Sequence, residues 1–329
     1  MKDTDKALLF RELAKLLKAD FHLDRSIALL LGQNPKPAVA ALLRELQEGL
    51  KAGAGVSEAM RRASAGGLTT LDLALAGAGE QSGRLAQSFD LLARYYESLT
   101  ESLRKARGAL IYPLVLAHLG IILPEIPAAI ASGDAAALPL RLLTRLALLW
   151  LVLALIFKGW SVLSRRAETL AGLDRLLGAV PLLGAMRAHW ALARFTRVAH
   201  SGLLAALRPQ EWLRLAGEAS GSGQFQAGAA RAANRVAEGQ PIAASLRDAG
   251  GFPKLFVDSL DTAEEAGALD HEMARWAELE AAQAGESMDR VAAWLPKLLY
   301  AAIALYIAWR IISMITGIYA PLLRETGVL

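Results

Sequence analysis

Two stretches 184 residues apart read in the same order, and this duplication limits the possible folds more than any other feature. The first is GEQSGRL (Gly79 to Leu85), followed by Leu85, Phe89, Leu92, Tyr96, Leu99 and Leu103 at spacings of 4, 3, 4, 3 and 4. That spacing lines one face of a long helix. The cations Arg104, Lys105 and Arg107 come next, and ALIYPLVLAHLGIIL then opens an apolar stretch. The second is AEEAGAL (Ala263 to Leu269), followed by Met273, Trp276 and Leu279, then Arg290, then WLPKLLYAAIALYIAW. Pro113 lies 28 residues after Leu85 and Pro296 lies 27 after Leu269, so each proline is expected in the first turn of a membrane segment, where its missing N–H costs little. GQPIAASL (Gly239 to Leu246) similarly answers GAGVSEAM (Gly53 to Met60). The chain is an internal repeat.

Between the repeated blocks the apolar runs are long enough to cross a bilayer, whose core needs about 20 residues of helix. Residues 109 to 131 carry one charge, Glu125, with Pro124 and Pro127 marking where the helix gives out. A second run covers roughly Leu138 to Phe157, with Arg141 and Arg145 in its early turns; a third covers about Leu298 to Tyr319, broken only by Arg310. Elsewhere apolar residues recur at helical spacing, as in Leu9, Leu13, Leu16 and Leu17, or Trp190, Phe195 and Val198. Strand-like alternation does not occur. Ser57 reads as a helix cap and SGSGQ (Ser220 to Gln224) as a linker loop. The reading is an all-α membrane protein: a cytoplasmic helical bundle at 1–107, spans at 108–131 and 138–163 around a short outer loop at 132–137, a second, homologous bundle at 164–296, a third span at 297–320 and a tail at 321–329. Each bundle should hold about six helices.

Charge sets the orientation, because cytoplasmic flanks collect Lys and Arg. Arg104, Lys105 and Arg107 precede the first span, Lys158, Arg165 and Arg166 follow the second, and Arg290 and Lys297 precede the third. The loop between the first two spans carries Asp134 and no cation, which places both bundles in the cytoplasm. Residues 1–107 hold 16 basic and 13 acidic side chains and residues 164–296 hold 14 and 16, with no concentrated basic stripe for nucleic acid. There is no Cys, no phosphate-binding loop and no metal spacing among the five His, so neither nucleotide nor metal is expected.

Glu80 and Glu264 read as caps at the positive ends of the helices that follow them, and Gly83 and Gly267 as helix stops. The alternative is that Glu80, Gly83, Arg84, Glu264, Glu265 and Gly267 form two contact surfaces for a partner. In the spans, Arg310 is expected either to pair with Glu125 or to meet an acidic group on a substrate helix. A second class of function, a membrane-embedded transporter or enzyme, would instead use Glu125, His118, Arg141, Arg145 and Arg310 as a polar pathway.

GE-x-SG-x-L with its second copy, the IYP opening at Ile111 to Pro113, Phe252-Pro253, Pro181, Gly184, Arg194-Phe195, Arg197 and the closing Tyr319-Ala320-Pro321 together resemble the inner-membrane platform proteins of bacterial type II secretion systems and type IV pili. The resemblance covers nearly the whole chain. It implies no enzymatic activity, no cofactor, a multi-pass location in the inner membrane and homo-oligomerisation. The partners it implies are a cytoplasmic assembly ATPase, pilin or pseudopilin subunits, other inner-membrane assembly proteins and membrane lipid. This sequence departs from the family pattern in three places. It starts almost directly at the first bundle, has Leu68-Thr69 where the second copy has Phe252-Pro253, and has Ala263 in place of Gly79.

Overall fold

The computed structural model describes residues 1–63, 67–132 and 136–325, and these fold into fifteen α-helices with no strand among them. Six helices occur twice in the same order. α1 (Asp3–Lys18), α2 (Leu23–Gly32), α3 (Pro37–Lys51), α4 (Val56–Arg62), α5 (Thr70–Gln81) and α6 (Leu85–Ile122) form the first set. After α7 (Glu125–Ser132), α8 (Leu138–Ala167) and α9 (Ala171–Gly178), the set returns as α10 (Leu183–Leu204), α11 (Pro209–Ala219), α12 (Gly223–Ala237), α13 (Ile242–Ala249), α14 (Lys254–Glu265) and α15 (Leu269–Glu325).

The boundaries have local causes, and the turn after the fifth helix of each set repeats. α3 and α11, which are not counterparts, each open on a proline, which loses nothing at a position whose N–H has no helical acceptor. α5 ends in a left-handed Gly83 (φ +68): Arg84 N–H donates to Gly79 O at 2.7 Å and Gly83 N–H to Glu80 O at 3.2 Å. α14 ends the same way at Gly267 (φ +66), with Ala268 N–H on Ala263 O at 2.8 Å and Gly267 N–H on Glu264 O at 3.2 Å. Both are Schellman turns, which satisfy the last carbonyls of a helix and reverse the chain.

The chain divides into two compact units. Residues 1–102 and 164–287 make one; residues 103–163 and 288–329 make the other. Both bundles read from the sequence therefore fall in a single unit, and α10 packs against α5. At that seam, Tyr95 of the first copy lies edge-on to Trp190 of the second, with ring centroids 5.5 Å apart. The Arg194 guanidinium donates to its hydroxyl at 3.3 Å. Arg197, pulled below its usual pKa range by burial, sits over its ring. SGSGQ is no linker: Ser220 is buried, and the Ser222 hydroxyl accepts from Phe225 N–H to start α12.

The second unit contains the apolar stretches. Three helices, Leu85–Pro127, Leu138–Ala167 and Leu269–Ser313, are long and apolar enough to cross a membrane. α8 leaves Leu140, Leu143, Leu148, Leu151, Leu155 and Phe157 exposed, an apolar surface that water does not tolerate at this extent. α6 and α15, the equivalent helices of the two copies, lie side by side and parallel. Lys105 meets Asp289 at 3.5 Å, the Tyr112 and Tyr300 ring centroids stand 5.8 Å apart, and a Cβ on Gly120 would touch Ile307 at 3.4 Å. Partners 184 to 188 residues apart mean that each helix meets its own counterpart, as a pseudo-twofold requires.

One expectation fails in this unit. Pro113 and Pro296 do not start helices, because α6 and α15 run straight through them. The amphipathic helix before each proline is already propagating, and extension costs far less than renucleation. The helix gives out where Pro124 was expected to end it: α6 stops at Ile122, Pro124 lies in the turn, and Glu125 begins the separate helix α7.

Candidate functional site: the paired turns and the charged cluster of the spans

Glu80 sits in the last turn of α5, yet its carboxylate does not reach the next helix. It crosses to the start of α4, where Val56 N–H donates to Oε1 at 2.6 Å, Ser57 N–H to Oε2 at 3.1 Å and Ser57 Oγ to Oε2 at 3.1 Å. Glu264 repeats the arrangement on α13, accepting from Ile242 N–H at 2.7 Å and Ala243 N–H at 2.8 Å. The expectation that these acids cap the following helices is therefore wrong. So is the assignment of Ser57 as a cap, since its hydroxyl donates to Glu80 and Gly55 holds the cap position. The physical reason is the Schellman turn, which orients the last turn of α5 or α14 back across the bundle. A short helix whose first N–H groups lack acceptors is waiting there. A carboxylate at a helix N-terminus gains from the dipole as well as the hydrogen bonds.

This cap ties α5 to α4, and α14 to α13, and leaves the tip of each turn free. Gly83, Arg84, Glu265 and Gly267 are exposed. The tips share a backbone and differ in chemistry: Gln81-Ser82-Gly83-Arg84 ends in a cation, whereas Glu265-Ala266-Gly267-Ala268 carries an anion. The Gly79 substitution also has a cause. A Cβ there would lie 2.4 Å from Ser88 Oγ and 3.2 Å from Leu85 Cα. In the second copy the residue answering Ser88 is Glu272, which turns away to Arg275 and the Trp276 indole, so Ala263 fits.

In the spans, Glu125 is about 1% exposed and holds two guanidiniums. Arg310 Nη2 donates to Oε1 at 2.6 Å, and Arg145 Nη1 donates to the same oxygen. The sequence offers Arg145 as one member of the polar pathway in the spans, beside Glu125 and Arg310, but its position seven residues after Leu138 gives no hint that it bonds the Glu125 carboxylate. His118 Nδ1 bonds Leu114 O at 2.7 Å within its own helix, and its ring faces Trp150. Pro113 lies on the inner face of the same helix, beside Leu114 and Leu149; Pro296 lies on α15 near the start of the third apolar run. No group of acidic or His residues able to hold a metal occurs among the described residues.

The sequence matches the family model of type II secretion system protein F twice, at residues 9–130 and 195–317. The chain belongs to that family. The two matched segments start at Leu9 and Phe195, which hold equivalent places in α1 and α10, and each runs through one six-helix set into the apolar helix that closes it. The family unit is thus the bundle together with its span. Among curated relatives, the type 4 fimbrial assembly protein PilC of Pseudomonas putida is 29% identical over 98% of this chain and 84% of its own length. The type II secretion system protein F of Xanthomonas campestris is 27% identical over 97% of this chain and 84% of its own. A protein transport protein HofC homolog of Escherichia coli is 28% identical over 80% of this chain and 70% of its own. Members of this family are named for secretion and for pilus assembly, and this chain is a multi-pass membrane protein among them.

Proposed function

We propose that this chain is a non-enzymatic platform in the bacterial inner membrane that couples a cytoplasmic assembly ATPase to the assembly of a pilus or pseudopilus. The observation that carries the reading is the pair of turns. Two rigid, identical backbones, each locked by a carboxylate onto a neighbouring helix, present opposite charge at their tips. Such a surface suits different partners at the two positions: an assembly ATPase at one, another inner-membrane assembly protein at the other. Pilin or pseudopilin subunits are the cargo, and copies of the chain associate in the membrane. Nothing in the charge distribution favours nucleic acid.

The orientation is part of the proposal. Parallel pairing of α6 with α15 supports it, since that puts Arg104, Lys105 and Arg107 at the same end of the spans as Arg290 and Lys297. Reporter fusions after residue 107 and near residue 230 should both read cytoplasm, and one near Asp134, which lies outside the described residues, should read the far side. A photo-cross-linking residue at Arg84 or Glu265 should trap the ATPase in intact cells. An outward reading near residue 230, or no ATPase captured from either turn, would defeat the proposal.

A further inference from the structure

Within the membrane unit, α6, α8 and α15 enclose a cavity of about 710 Å³ whose walls are apolar except at one end. Leu114, Ala117, Leu149, Leu153, Ala302 and Ile303 form its sides, and Arg145 and Arg310 close it. On α6 the lining runs from Leu110 to Ile121 and on α15 from Leu299 to Arg310, a rise of about 16 Å at about 1.5 Å per residue. That is half of a hydrocarbon core about 30 Å thick. Two guanidiniums share the single Glu125 carboxylate, leaving one positive charge over, and Arg310 Nε is buried without an acceptor.

We propose that this cavity is a binding site for one anionic phospholipid, with an acyl chain between the three helices and its phosphate at Arg145 and Arg310. Depth and charge both point to this occupant. A chain of one leaflet's length fits a cleft of half-membrane depth, and a phosphate balances the spare charge. Arginine binds phosphate through its fork of N–H donors, and the partly exposed Arg145 has donors beyond the one on Glu125. A helix of another protein would have to carry an acidic residue at the level of Arg145 and Arg310 to balance the same charge, and a cross-link from Ala302 separates the two occupants. The inference rests on reading this unit as membrane-embedded. It does not depend on which machine the platform serves, so its failure would leave cross-linking to the ATPase untouched.

The test uses the full-length protein in neutral detergent, offered an equal mixture of dioleoyl phosphatidylglycerol and dioleoyl phosphatidylcholine, with retained lipid counted by native mass spectrometry. The wild type should keep one phosphatidylglycerol per chain with roughly a fivefold preference, as one arginine near an anionic head supplies. Arg145→Gln leaves Glu125 and Arg310 balanced, and the preference should fall to about one. Ala302→Phe fills the cavity and should lower retention of both lipids; Ala117→Leu, a milder filling, serves if the first variant loses helix content. Equal retention of the two lipids by the wild type, or a preference that survives Arg145→Gln, would overturn the site. So would a photo-cross-linker at Ala302 that captures a protein helix in cells, whether from a second copy or from a cargo subunit.

Discussion

The two copies of the bundle have the same helices and the same turns but solve the problem of the core differently. In the first copy, Lys6 and Asp72 are buried as an ion pair at 2.8 Å, and Tyr96 donates to Asp72 at 2.8 Å. Thr69 N–H also donates to Asp72, completing a capping box at the start of α5. Burial, together with the Asp72 charge, pushes the Tyr96 hydroxyl far above its ordinary pKa. In the second copy the positions answering Lys6, Thr69, Asp72 and Tyr96 hold Leu192, Pro253, Phe256 and Glu280. Its core is instead an aromatic stack: Phe225 lies on Phe252 at 4.8 Å, Phe195 and Phe256 crowd against Phe252, and the Trp276 ring meets Phe256 at 5.3 Å. A polar network and an aromatic cluster therefore support one backbone. What the copies share is the Schellman turn and the carboxylate that reaches across from it.

The largest effect should come from breaking the polar core. Lys6→Leu strands a buried carboxylate and should cost about 3–5 kcal/mol in thermal unfolding of the full chain. Adding Asp72→Phe copies the second copy's pair and should recover most of that loss. If the double variant is no more stable than Lys6→Leu, the two cores are not interchangeable solutions.

How far the sequence foretold this follows from the range of each interaction. The duplication, the three spans and the left-handed glycines at 83 and 267 were legible, because periodicity, apolar length and a glycine after a helical run are local signals. The Glu80 contact lies 24 residues upstream in the chain and across a turn, so a nearby cap looked the natural reading. The passage of α6 through Pro113 was hidden because a proline suits a first turn better than an interior. The Glu125 pairing with Arg310 was legible as one of two options, from two opposite charges in apolar runs. Arg145 was legible only as one polar residue of the spans, because nothing local in the sequence ties a cation near the loop to the Glu125 carboxylate.

Next in size is the steric difference at the turns. Gly79→Ala forces a Cβ onto Ser88 and Leu85 and should cost about 1–3 kcal/mol. Ala263→Gly in the second copy meets no such clash and should cost only about 0.5–1 kcal/mol. Equal costs would remove Ser88 as the reason the copies differ. Smaller still is a pH effect confined to the second copy. His200 is held below its ordinary pKa by burial, and the equivalent position in the first copy is Ala14. The unfolded chain takes up the proton more readily, so stability should fall as pH drops through about 6.5. His200→Ala should flatten that part of the profile, read from melting temperature between pH 8 and pH 5.5.

Glu80 is a structural cap, and in the proposed function the exposed tip beside it carries the partner contact. Glu80→Ala and Arg84→Glu, compared for both melting temperature and pilus or secretion output, test this most directly. Glu80→Ala removes the acceptor for two backbone N–H groups and should cost about 1–2 kcal/mol, with output falling only as far as folded protein falls. Arg84→Glu should leave the melting temperature unchanged and abolish output. A Glu80→Ala protein that melts like wild type yet assembles nothing, or an Arg84→Glu protein that assembles normally, would contradict it.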